Sequence, residues 1–485
     1  MFLERIVTQT RSDLEQRKRE LPLEEVRARA AAQPAPRDLL QVFKDRSRVH
    51  LIAEVKRASP SKGLLAPHLD PVELARTYEA NGASAISVLT EPHFFLGAPE
   101  YLTAIKEAVS IPVLRKDFIV DDYQVYEARA WGADVILLIC AILDDAQLRH
   151  LLQTAHSLHM RCLVEVHSRD EALRAIEAGA VIIGVNSRDL ATFQMNPYLI
   201  RELRQLIPAD RVVVAESGIH TEADVRRLAR YDVQAMLVGE SLVVSNDVPA
   251  QMRILLQGAN QSTQVKICGL RTPEHIDIAT TAGADLLGFI FHEPSHRYVR
   301  PQQVHDLLKV SERFANPTGG EVTPDLVGVF VNKEADFIND VAEDVGLNFV
   351  QLHGTETPEF CQRIKRPVIK ALHVSSEGDI EQIKLYQKVA WRLLLDTPTP
   401  EWGGTGVTHD WQLARIAARI TPILLAGGLT VANVAEALEQ VQPWGVDVSS
   451  GVETNKQKDP QKICEFIAQV RQYDKIKAST PIGKR

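Results

Sequence analysis

Two lysines and three glutamates fall at the ends of short apolar runs in the first half of the chain. Glu54 and Lys56 are two apart, so their side chains leave the same side of an extended segment. Lys116 ends Val113–Lys116 and Glu165 lies in Cys162–Val166. Asn186 ends Ile182–Asn186 with Arg188 just beyond, and Glu216 ends Val212–Glu216. Charge in a packed interior is costly unless it is paired or used. One Lys–Glu pair would read as a structural ion pair. Five such groups at strand ends point instead to acid–base chemistry, with lysine as donor and carboxylate as acceptor. A lysine beside a lysine is expected to have a lowered pKa, which favours donation. Which of Lys56 and Lys116 donates stays open.

The second half offers a smaller set. Cys268 ends Val265–Cys268 and Asp396 ends Arg392–Asp396. Singly, a buried Cys reads as a small apolar residue and an Asp after a strand as a helix cap. Together they suggest a thiolate that takes a proton and a carboxylic acid that gives one. His353, which ends Phe349–His353, and Arg297, after Leu286–Phe291, are placed to orient an anionic or polyhydroxylated substrate. The remaining histidines read as solvated.

Positioning these groups requires strands whose ends converge. Sixteen short β-branched runs alternate with amphipathic stretches, eight in each half of the 485 residues. That alternation predicts parallel strands joined by helices. Eight units twice over predicts an α/β protein of two tandem (β/α)8 TIM barrels, each of about 250 residues. A doubly wound sheet is the structural alternative. The expected domains are 1–258 and 263–485, joined by a short polar linker within Gln257–Gln264. Residues at the N-terminus predict an amphipathic helix packed on the first barrel, and the final KIKASTPIGKR reads as a loose basic tail.

The loops after the seventh and eighth strands of such barrels commonly bind phosphate. Glycine lets backbone approach the ligand, and a helix N-terminus presents free N–H groups. Ser217 and Gly218 with Gly239, and Gly427 and Gly428 with Ser449, Ser450 and Gly451, supply the residue types. The expected substrates are therefore small phosphate esters. The segment Val212–Val225 also resembles Pro422–Val434, a weak internal repeat of strand, small-residue turn and helix.

Composition narrows the class. Apolar residues are 45%, charged residues 24% and the net charge is −8, which argues against nucleic-acid binding or a polybasic membrane anchor. The longest apolar run, Val135–Leu143, is too short to span a bilayer, and the N-terminus lacks the apolar stretch of a secretory signal. Five scattered cysteines without CxxC or metal-like spacing suggest reduced thiols, no metal and no cofactor. A cytoplasmic monomer is the expectation.

Longer motifs add a resemblance. AEVKRASPSKG (Ala53–Gly63), VLRKDFI (Val113–Ile119), LVEVH (Leu163–His167), IGVNSRDL (Ile183–Leu190), AESGI (Ala215–Ile219) and LVGESL (Leu237–Leu242) resemble indole-3-glycerol-phosphate synthase. VKICGL (Val265–Leu270), VQLHG (Val350–Gly354), LLLDT (Leu393–Thr397), GGTG (Gly403–Gly406), LAGGL (Leu425–Leu429) and VDVSSGVE (Val446–Glu453) resemble phosphoribosylanthranilate isomerase. Together the halves resemble the fused enzyme of tryptophan biosynthesis. The resemblance implies an Amadori rearrangement of N-(5-phosphoribosyl)anthranilate in the second barrel, with Asp396 as acid and Cys268 as base. It implies closure of the indole ring in the first barrel, with loss of carbon dioxide and water. There Lys116 would be the acid, Glu165 the base and Lys56 a second donor, with Glu54 and Asn186 as catalytic or positioning partners. Ser59, Ser217, Gly218 and Gly239 would surround phosphate, and Phe118 and Arg188 would contact the anthranilate end. Glu216, Arg297, His353, Gly427, Gly428, Ser449 and Ser450 complete the expected binding set. The partners implied are small phosphorylated anthranilate–sugar substrates.

Two departures from the isomerase pattern stand out. Ser295-His296-Arg297 replaces Ser-Pro-Arg, which predicts altered loop geometry with the arginine kept. Thr454–Asp459 lacks a Pro-Gly, which predicts a longer or more mobile loop. Three other readings compete: one active barrel only, a non-catalytic phosphate-metabolite sensor, and a histidine-pathway isomerase. A sensor would not need the acid–base residues, and the histidine-pathway barrels rely on two aspartates instead of Cys268 and Asp396.

Overall fold

The computed structural model describes residues 2–189, 192–196, 199–208, 210–259, 262–315, 323–374, 376–396 and 411–479. The chain divides into two compact units, 1–261 and 262–485. In the first, eight strands close into one parallel ring: β1 (His50–Val55), β2 (Ala85–Leu89), β3 (Val113–Lys116), β4 (Val135–Ile139), β5 (Arg161–Val166), β6 (Ile182–Asn186), β7 (Val212–Glu216) and β8 (Ala235–Val238). In the second, β9 (Gln264–Cys268), β10 (Leu286–Ile290), β11 (Asp325–Phe330), β12 (Phe349–Leu352), β13 (Val368–His373), β14 (Arg392–Asp396), β15 (Ile423–Leu425) and β16 (Gly445–Val448) do the same. The protein is thus α/β, with two TIM barrels in tandem. Val, Ile and Leu dominate because a parallel strand is covered on both faces.

Register sets what meets at the C-terminal ends. Glu54 pairs with Ser87, Ile139 with Glu165 and Asn186 with Glu216. The ionisable groups therefore share one end of the first ring, above an apolar filling that includes Ile52, Leu114, Leu137 and Val214.

The helix Phe2–Glu20 buries Ile6, Thr10 and Leu14, as its amphipathic pattern predicts. Other expectations need correction. The polar stretch Gln257–Gln264 is not all linker, because the helix Val248–Ala259 runs through its first residues and Gln264 opens β9. The basic tail is not all loose: the helix Pro460–Ser479 includes its first five residues, while 480–485 lie outside the described residues. The Thr454–Asp459 stretch forms a tight hairpin, Glu453–Thr454 against Gln457–Lys458. Asn455 and Lys456 both take positive φ, 51° and 62°, which suits a two-residue turn between antiparallel strands. Among the described residues, no helix is long and apolar enough to cross a membrane.

Candidate active sites

One cavity opens at the C-terminal end of the first ring. Glu54, Lys56, Ser59, Lys116, Phe118, Glu165, Asn186, Arg188, Glu216, Ser217, Gly218 and Gly239 all line it. Lys116 sits at its centre, with Nζ 3.0 Å from Glu165 Oε2 and 3.0 Å from Glu216 Oε2. Lys56 Nζ pairs with Glu54 Oε1 at 2.9 Å. Burial pushes the Glu54 carboxyl up, but Lys56 and Lys116 outweigh it and hold it below the usual range. Burial likewise opposes ionisation of Glu165, yet Lys116 and His167 keep it well below the carboxylate norm. Glu216 goes the other way: burial lifts it to about 8, with Lys116 opposing and Glu165 adding to the rise.

The turn after β7 places Ser217 and Gly218 in successive left-handed conformations, φ 67° and 72°. The Ser217 hydroxyl donates to Asn186 Oδ1 at 2.8 Å. Two glycines make room for acid groups. A Cβ on Gly239 would lie 2.5 Å from Glu54 Oε1, and one on Gly184 would crowd Glu216 Oε1. Ser59 Oγ is buried without a hydrogen-bond partner. Such an orphan hydroxyl is what a site for an absent oxyanion would leave.

The second ring carries its own cavity, lined by Cys268, Arg297, His353, Asp396, Gly427, Gly428, Ser449 and Ser450. His353 Nε2 lies 3.3 Å from Asp396 Oδ2, and Gln351 Nε2 lies 2.9 Å from His353 Nδ1. Burial pushes the Cys268 thiol up, and Lys266 works against that rise. Lys266 is itself wholly buried and contacts both Asp447 oxygens at 3.0 Å. Gly427 and Gly428 take φ 79° and 64°, a backbone turn open only to glycine without strain. Among the described residues, no group of three or more His, Cys, Asp or Glu side chains could hold a metal ion.

Comparison with known proteins matches these two units to two families. Residues 3–255 fit the model for indole-3-glycerol phosphate synthase, and residues 265–469 fit that for N-(5'-phosphoribosyl)anthranilate isomerase. The chain belongs to both families, joined in tandem. A multifunctional tryptophan biosynthesis protein of Phycomyces blakesleeanus is 37% identical over 90% of this chain, and the chain spans 64% of that protein's length. The tryptophan biosynthesis protein TrpCF of Helicobacter pylori is 34% identical, covering 91% of this chain and 93% of that protein. An indole-3-glycerol phosphate synthase of Dehalococcoides mccartyi is 52% identical over 53% of this chain and all of its own length.

Several site features of the synthase and isomerase barrels depart from the sequence reading. Lys116 does not have a lowered pKa; burial pulls it down, but Glu165, Glu216 and Glu54 outweigh that and raise it above its ordinary value. Lys–Lys proximity loses to three nearby carboxylates. The remaining histidines are not all solvated. His50 is 2% exposed in β1, between Ser84 Oγ and the Asp45 carbonyl. His167 is partly buried between Glu165 and Glu171, its side chain 9% exposed. The sequence signal for His167 was its place two residues beyond Glu165, at the same strand end. The synthase cavity is also lined by Phe2, Leu3 and Ile6 from the N-terminal helix, which only tertiary packing reveals. In the isomerase barrel, Arg297 is gripped by Glu453 at 2.7 and 2.9 Å, and Lys458 pairs with the same carboxylate at 2.8 Å. The hairpin in place of Pro-Gly delivers both partners. Thr397 and Gly403–Gly406 lie outside the described residues, as does Leu190.

Proposed function

We propose that this chain catalyses two successive steps of tryptophan biosynthesis. The isomerase barrel converts N-(5-phosphoribosyl)anthranilate to 1-(2-carboxyphenylamino)-1-deoxyribulose 5-phosphate. The synthase barrel closes that product to indole-3-glycerol phosphate. In the first reaction Asp396 gives a proton to the ribose ring oxygen as the ring opens. Cys268, as thiolate, then takes the proton from C2, leaving an enol that relaxes to the ketone. Arg297 and His353 orient the substrate, while Gly427, Gly428, Ser449 and Ser450 receive its phosphate through backbone N–H groups and hydroxyls.

In the second reaction a ring carbon attacks the ketone, whose oxygen takes a proton from Lys116. Carbon dioxide leaves, the hydroxyl departs as water with a second proton, and Glu165 removes a proton to restore the aromatic ring. Lys56 supplies the other acid, and Glu54 and Asn186 position it. Ser59, Ser217, Gly218 and Gly239 hold phosphate, with Phe118 and Arg188 against the anthranilate end. The observation that carries this reading is the convergence of Lys116, Glu165 and Glu216 beside an orphan Ser59 hydroxyl and a left-handed Ser–Gly turn. Free cysteines fit a cytoplasmic enzyme.

A coupled assay tests it. Freshly made phosphoribosylanthranilate is supplied with chelator present, and loss of anthranilate fluorescence and formation of indole-3-glycerol phosphate are followed together. Formation of the indole product is expected. Accumulation of the deoxyribulose ester would leave only the isomerase standing, and no turnover would reject both assignments. Sedimentation velocity of the full chain checks the expected monomer.

A further inference from the structure

Lys116 is shared by two glutamates in nearly the same way. Both carboxylates lie 3.0 Å from its Nζ, and both residues are 2% exposed. Two carboxylates around one ammonium in a dry interior tend to keep one proton between them, because like charge opposes the second ionisation. Nothing at Lys116 chooses between them. The difference lies at the far oxygens. Glu216 Oε1 is buried with no hydrogen-bond partner. Glu165 Oε1 faces His167 Nε2 at 3.3 Å, an ion-pair contact whose angle falls short of a hydrogen bond.

His167 is fixed from behind. Its Nδ1 lies 3.3 Å from Glu171 Oε2, which also accepts the His167 backbone N–H at 2.9 Å. Glu171 sits in the first turn of the helix Arg169–Glu177, whose cap Ser168 accepts the Glu171 N–H. The strand end, the cap and the first helical turn together press one imidazole between two carboxylates.

We propose that His167, backed by Glu171, is the positioning residue that decides which glutamate keeps the proton: it holds Glu165 as carboxylate and leaves Glu216 as acid. This rests on the reading of Glu165 as the base of ring closure and extends it, since a base must enter the reaction unprotonated. The charges agree. Burial pulls His167 down, but Glu165 and Glu171 outweigh it and raise it to about 10, so it is an imidazolium near neutrality. Glu216 shifts the other way, upward toward the acid form, because burial disfavours its charge and Glu165 adds to the rise. The other groups acting on this cluster are Glu54, which raises Lys116, Arg174, which pairs with Asp145 near Glu171, and the Cys140 thiol, which burial holds protonated at about 12.

Neutron diffraction from deuterated crystals near pH 7 reads the placement directly. The expected result is a deuteron on Glu216, none on Glu165, and deuterons on both His167 nitrogens. In His167→Asn the deuteron should move to Glu165 or divide between the two. A deuteron on Glu165 in the unsubstituted protein, or unchanged placement in the variant, overturns the proposal. Kinetics give a second reading. His167→Asn should lower kcat for ring closure about 10-fold with little change in KM, and move the acidic limb up by about one pH unit. Glu171→Gln should do the same to a smaller degree. A lower Tm with an unshifted pH profile would mean a structural role only. The neutron result needs no turnover. Full ring closure by Glu165→Gln would therefore sink the base assignment while leaving the proton placement intact.

Discussion

The two barrels handle interior charge differently. In the synthase barrel one lysine is the hub: Lys116 binds Glu165 and Glu216, with Glu54 and Lys56 alongside. In the isomerase barrel buried lysines pair singly with carboxylates, Lys370 with Glu356 at 2.9 Å and Lys458 with Glu453 at 2.8 Å. Lys266 is wholly buried against Asp447, while the proposed acid Asp396 faces His353 in the cavity at 3.3 Å. A hub lets one substitution disturb every titration in the site. Separate pairs confine the damage. Lys266 opposes the rise that burial gives the Cys268 thiol, whereas Lys116 lines the synthase cavity itself and is the proposed acid there.

The sharpest way to break that contrast is Lys116→Met. It should cut ring closure about 10⁴-fold, because an acid and the counter-charge of two glutamates go together, and leave isomerase turnover unchanged. Separate assays of the two steps check this. Asp396→Asn should lower isomerase turnover about 10³-fold and spare ring closure fed with the deoxyribulose ester. Loss of both activities would count against independent sites. Lys266→Met strands a buried Asp447 and should destabilise the second unit by about 3–5 kcal/mol. Calorimetry should show one transition falling while the other stays.

The smallest effect is in pH. His167 is raised from 6.5 to about 10, so its contribution is complete below 6.5 and disappears as pH climbs through 10. Burial opposes ionisation of Glu453, but Arg297 and Lys458 bring it from 4.5 down to about 2. Its contribution is present above 4.5 and lost as pH falls through 2. Urea midpoints measured against pH should therefore fall in alkali for the first unit and in acid for the second. His167→Asn and Glu453→Gln should each flatten one limb.

The strands were legible because β-branched runs such as Val135–Ile139 cannot be hidden in another periodicity, and each sequence-read strand lies within about two residues of the observed one. The candidate cluster around Lys116 was legible because charge at a strand end is rare. What escaped were features set by partners distant in the chain. Lys116 was read against Lys56, but its pKa follows Glu165 and Glu216, 49 and 100 residues away. Phe2 and Leu3 carry no chemical signal, and their place on the cavity wall comes from how one helix docks. The missing Pro-Gly pointed to a loose loop because the turn-forming ability of Asn455-Lys456 is visible only from their backbone angles.

Ring closure has a genetic consequence. Each barrel sheet returns to its own first strand, and no described barrel strand pairs with a strand of the other ring. The segments flanking the junction are tied within their own units: Val49 N–H donates to the Ala259 carbonyl at 2.8 Å, and Thr263 Oγ1 donates to Asp474 at 2.7 Å. A reading frame cut between those points would leave neither product with an open sheet edge to aggregate through. A cut at this junction breaks neither sheet, so each ring keeps its full set of strand pairs whether one chain or two are made.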